Sequence, residues 1–223
     1  MGEYYSWVNL DRREFIQCGD FDDCLCKLYQ TVWYDCLGVK AFYTLLSAEW
    51  KEQRVLFLGD ETDANGDHNN PIVAKLIEEH RSWGQPRYLF DYVYENYRDI
   101  TPWFKAAEES LRSEIERIHD ASAHEFDPYH IDRDAPFRGM FERPLSDYRF
   151  VVNETKHEFL DRQKAQKSSK GNPVNPLPLL MAYITFDAEP FIGSWIGDRL
   201  RTANQLPQNH YKEMSNAYRI RGI

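Results

Sequence analysis

Asp63, Asn65 and Asp67 alternate along the chain with the spacing at which a calcium loop offers its first oxygen ligands to a hard cation. The analogy stops there. The position that needs glycine for the loop's sharp turn holds His68, and the twelfth position holds Ala74 where a bidentate glutamate belongs. The same residues read equally well as a solvated turn rich in Asx side chains and glycine. No cofactor is predicted, and a divalent cation is the class this loop leaves open. Just upstream, Asp60 and Glu61 follow an apolar run, and together with His68 they form the pair of carboxylates and imidazole that general acid and base chemistry uses. The plainer reading is that Asp60 caps the turn after a strand. His119, His124 and His130 lie among Asp120, Glu125, Asp127, Asp132 and Asp134, but their spacings fit no ligand template. No Walker loop, G-x-G-x-x-G fingerprint, G-x-S-x-G elbow or H-E-x-x-H helix occurs.

Cys18, Cys24, Cys26 and Cys36 form no C-x-x-C pair and have no matching His or Cys doublet downstream, so reduced thiols are expected rather than a zinc site. The net charge of −9 argues against a surface that tracks nucleic acid, and it would steer a basic protein partner toward the chain. Aromatic residues make up 15% of the chain, including 14 Tyr and 6 Trp, more than a core alone needs; these residues also favour interfaces. No run has the apolar length of a membrane span, which predicts no membrane partner and a cytoplasmic location. The opening Met1-Gly2-Glu3-Tyr4-Tyr5-Ser6 matches a bare myristoylation pattern, but no polybasic segment follows to supply a second membrane signal.

The elements that position these residues come in two matching sets. EYYSWVNLDRREFI at 3–16 and DYRFVVNETKHEFL at 147–160 align at one offset: Val8-Asn9 with Val152-Asn153, Arg12 with Lys156, and Glu14-Phe15 with Glu158-Phe159. Each predicts a β-hairpin, with the turn at Asn9 to Arg12 or Asn153 to Lys156. VKAFYTLL at 39–46 and LLMAYIT at 179–185 predict a buried helix in each set. Trp50 with Arg54 then recurs at the spacing of Trp195 with Arg199. Val55 to Leu58 predicts a buried strand ended by Gly59; its counterpart is more polar. The fold class expected is α+β, with two divergent hairpin-helix-strand repeats related by a pseudo-twofold axis. Residues 1–70 form the first repeat and 147–223 the second, within one compact unit.

Between them, 71–146 reads as a helical insert and a loop. Pro71 suits the first turn of a helix over Ile72 to Trp83, ended at Gly84-Gln85-Pro86. A second helix is expected over Tyr88 to Tyr97, and a third begins at Thr101-Pro102 with Phe104, Ala107, Leu111, Ile115 and Ile118 on one face. Residues 120–146 and 163–172 read as surface loops.

The pattern V-N-x-[TD]-[KR]-x-E-[FY]-[IL], an apolar helix, W-x-x-D-R, an apolar strand and G-D resembles a family of uncharacterised microbial and viral proteins. The resemblance implies the fold and no activity. It rests on Val8-Asn9, Arg12, Glu14-Phe15, Trp50, Arg54 and Gly59-Asp60, and on Val152-Asn153, Lys156, Glu158-Phe159, Gly193, Trp195 and Gly197-Asp198-Arg199. Gln53 stands where the pattern has an acid, and Ala203-Asn204 stands where it has Gly-Asp. Glu14, Arg54, Glu158 and Arg199 recur in both copies and are the candidate binding residues, as the lining of a shared pocket or as charges that fix the packing of each repeat. The function expected is a non-enzymatic protein-interaction module, such as an immunity-type or inhibitory binder of a basic partner. The alternative is a small-molecule or divalent-metal-dependent enzyme with its site between the repeats.

Overall fold

A computed structural model describes residues 3–21, 27–33, 36–64, 69–84, 87–104, 148–185, 189–218 and 220. They form a mixed α+β protein with a five-stranded and a four-stranded sheet. The first hairpin pairs β1 (Tyr5–Asn9) with β2 (Glu14–Gln17), placing Val8 opposite Phe15. A 3-10 turn (Cys18–Asp20) and helix α1 (Leu37–Leu46) follow, and β3 (Val55–Gly59) returns antiparallel to β1. The second hairpin pairs β5 (Phe150–Asn153) with β6 (Glu158–Asp161), placing Val152 opposite Phe159. It too is followed by a 3-10 turn (Arg162–Lys164) and a helix, α4 (Leu177–Met181), and β8 (Leu200–Ala203) returns antiparallel to β5.

Side-chain alternation along these strands builds the core. Trp7, Ile16, Val55 and Phe57 from the first sheet meet Val151, Leu160 and Leu200 from the second, with α1 and α4 in the same cluster. Trp7 stacks on Phe42 of α1 at 3.8 Å between ring centres. The opposite face of the first sheet, carrying Val8, Phe15, Leu56 and Leu58, is covered by α2 (Pro71–Trp83) and α3 (Leu89–Asn96). Both helices begin where the sequence predicts. Asn70 caps α2 by accepting from the Ile72 N–H at 2.9 Å, Pro71 occupies the first turn, and Gly84 at φ 75° ends it. The corresponding face of the second sheet carries a smaller cluster of Phe150, Val152 and Phe159.

Three short strands differ from the sequence expectation. β4 (Arg98–Asp99) falls between the second and third expected helices and runs parallel to β2, while β9 (Lys212–Glu213) runs parallel to β6. The apolar run at 179–185, expected to be one helix, stops being helical at Met181 and continues as β7 (Ala182–Tyr183), which pairs with Phe57 and Leu58 of β3. Prolines 176 and 178 start that helix, and Ala182 turns extended (ψ 127°), where the open edge of β3 takes its backbone groups. The third helical segment begins at Thr101 as expected, and its continuation beyond Phe104 lies outside the described residues. Among the described residues no helix is long and apolar enough to cross a membrane.

Candidate functional site

Each hairpin turn is organised by an asparagine and ends on a residue with left-handed backbone. Asn9 accepts from the Asp11 and Arg12 N–H groups at 3.0 and 2.9 Å and donates to Gln53 at 2.7 Å. Asn153 accepts from the Lys156 N–H at 3.0 Å and donates to Asp198 at 2.7 Å. Arg13 and His157 take φ of 54° and 53° to close the turns. The next residue in each is a glutamate that meets an indole. Trp50 Nε1 donates to Glu14 at 3.0 Å, and Trp195 Nε1 donates to Glu158 at 2.8 Å. Arg12 Nε reaches the same Glu14 oxygen at 2.8 Å. Buried Glu14, which needs donors, and half-buried Glu158 are thus each engaged beside their own hairpin.

The two arginines come together. Arg54 and Arg199 face one another in an antiparallel bridge where β3 and β8 begin. Two reciprocal backbone bonds flank it, Glu52 N–H to Leu200 O at 2.7 Å and Gly197 N–H to Val55 O at 2.9 Å. Arg54 donates to Asp11 through its backbone N–H, Nε and Nη2. Burial alone would raise the Asp11 carboxyl; the Arg54 hydrogen bonds and the charges of Arg54 and Arg199 hold it below its usual range. The Arg199 N–H donates to Thr155 at 2.9 Å, and its side chain is exposed. Nearby, burial pushes the Asp198 carboxyl up, and Glu158 adds to this while Asn153 and Lys156 oppose it. Lys156 Nζ lies 3.6 Å from Asp198.

Asp60 closes the end of β3 against β1. Its N–H donates to Tyr4 O and its carboxylate accepts from the Tyr4 N–H, both at 2.8 Å. Glu61 is exposed, and Asp63 bridges by backbone to Tyr88. Asn65, Asp67 and His68 lie outside the described residues, as do Cys24, Cys26, His119, His124 and His130. Cys18 and Cys36 are buried thiols. Among the described residues no group of three or more His, Cys, Asp and Glu side chains converges to hold a metal ion.

Two exposed aromatic residues that the sequence did not single out flank β4 in the chain. Tyr94, near the end of α3, is 56% exposed, and Trp103, just after β4, is 40% exposed. Tyr94 packs beside Phe15 and Phe90, and the Arg98 guanidinium sits 5.0 Å over the Trp103 ring. Arg13 covers the Tyr97 ring at 5.0 Å and donates to the Tyr92 hydroxyl at 2.6 Å, which in turn donates to Glu79 at 3.1 Å. Composition signalled surplus aromatic residues; it could not show which ones the helical layer leaves outside. Compared with protein families, curated proteins and solved structures, the chain finds no match.

Proposed function

We propose that this chain is a non-enzymatic protein-interaction module that binds a basic partner through the surface around α3 and β4. The observation that carries the reading is the outward pair Tyr94 and Trp103, large amphipathic side chains of the kind that anchor interfaces. By contrast, the recurring polar residues Glu14, Glu158, Asn9 and Asn153 are engaged within the fold. The chain's net charge of −9 supplies a long-range field that draws a basic partner toward it.

The same reading takes the two hairpin units as diverged copies related by a pseudo-twofold axis through the Arg54–Arg199 bridge. Its support is the reciprocal pair of backbone bonds at that bridge, the matching hairpin registers, and an indole on a glutamate in each unit. In this scheme the helical insert packed on the first copy supplies the binding surface, so the site sits where the copies differ.

A binding screen against basic proteins at about 50 mM and about 500 mM salt tests the function, since the higher salt shortens the screening length severalfold. Salt-sensitive complexes that weaken at least tenfold in Tyr94→Ala/Trp103→Ala are expected. Complexes that the double variant retains at full strength overturn the assignment of the surface.

A further inference from the structure

In the second unit, the residue that closes the hairpin turn is a histidine. His157 and His210 are both exposed, with ring centres 5.2 Å apart and planes inclined at 73°. Each is held by backbone. His157 O accepts from the Lys212 N–H at 2.8 Å, tying the turn to β9, and the Tyr211 N–H donates to Gln208 O at 3.0 Å, folding the chain around His210. The Tyr211 ring packs against both imidazoles, at 5.2 Å from His157 and 4.6 Å from His210. Its hydroxyl donates to Glu154, which also accepts from Arg201, so the ring that backs the pair is fixed from behind.

We propose that His157 and His210 form a two-imidazole site for a borderline divalent transition cation such as Zn²⁺. Metal-bound imidazole nitrogens lie about 2.0–2.1 Å from the ion, so ring centres about 1.1 Å farther out are about 5.2 Å apart at a tetrahedral angle. The observed separation of the ring centres equals that spacing. Imidazole selects ions of this class over Mg²⁺ and Ca²⁺, which prefer oxygen. Water completes the coordination, since the Glu154 carboxylate already serves Tyr211 and Arg201. A bound ion would clamp the hairpin turn to the start of β9. The unit-one counterpart of this clamp is the contact of Arg13 with Tyr97, which needs no metal.

The test is calorimetric titration of the full chain with ZnCl₂, beside His157→Asn and His210→Asn. Asparagine tolerates the left-handed backbone at position 157, and both side chains are exposed, so the metal-free variants should melt with the wild type; if His157→Asn does not, His210→Asn carries the test. Loss of one equivalent of Zn²⁺, or at least a tenfold weaker site, is expected in each variant. All other histidines and cysteines remain, so the difference belongs to this pair. Unchanged stoichiometry and affinity in His210→Asn overturns the proposal and leaves the two rings as an aromatic edge contact.

Discussion

Two buried carboxylates one strand apart respond to pH in opposite directions. Asp161 is almost wholly buried, and burial alone would raise its pKa. Arg149, donating at 3.1 and 2.8 Å, and the Gln163 N–H at 3.0 Å bring it below the usual range instead. A carboxyl whose folded pKa is depressed contributes stability above its unfolded pKa and loses it as pH falls through the folded value. Asp161→Asn should therefore cost about 1.5–3 kcal/mol at pH 7, the range for hydrogen bonds to charged groups. The gap in melting temperature from the wild type should close in acid; an equal gap at pH 7 and pH 3 contradicts the assignment. Asp198 is the opposite case. Burial raises it, so ionisation at neutral pH opposes folding, and that penalty is relieved as pH falls through its pKa. Gln53, an amide, receives the same asparagine bond in the first unit. Asp198→Asn should accordingly leave the melting temperature at pH 7 unchanged or higher, and a loss of several degrees would contradict this. Recurrence in the sequence marked Glu14 and Glu158 and also Trp50 and Trp195, but not that each glutamate meets its indole, because those contacts bring together residues about 36 positions apart.

At the scale of elements, the hairpins, β3 and α2 were legible from alternation, apolar runs and caps. The strands β4, β7 and β9 were not. Two residues carry no periodicity, and each pairs with a strand that other contacts had already placed. The turns into β3 and β8 offer a test. Glu52 and Gly197 both take left-handed backbone, with φ of 57° and 73°, and both donate across the bridge. A Cβ on Gly197 would also meet Ile72 Cγ1 at 2.7 Å. Gly197→Ala should cost about 1–2 kcal/mol from backbone conformation, plus the contact with Ile72. Glu52→Gly should gain about 0.5 kcal/mol, the left-handed penalty relieved less the added unfolded-state entropy. Denaturant melts measure both. The same sign of change for the two substitutions contradicts a shared turn conformation.

For the whole molecule, one core is shared by the two sheets, while only the first sheet has α2 and α3 over its other face. That asymmetry is where the binding reading rests, since the helical layer is what turns Tyr94 outward beside β4. Tyr94→Ala/Trp103→Ala should leave stability within about 0.5 kcal/mol of the wild type, as exposed substitutions do. The mixed α+β class and the two hairpins were legible in the sequence; the exposure of Tyr94 and Trp103 was not, because it is set by which faces the tertiary packing leaves uncovered. The most direct measurement places a photo-crosslinking aromatic residue at position 94, at position 103 and, as a control, at the exposed Leu206, and irradiates each protein with basic partners from the binding screen. Adducts at 94 and 103 that vanish at high salt, with none at 206, are the predicted result, and adducts absent from 94 and 103, or equally strong at 206, would contradict the assignment.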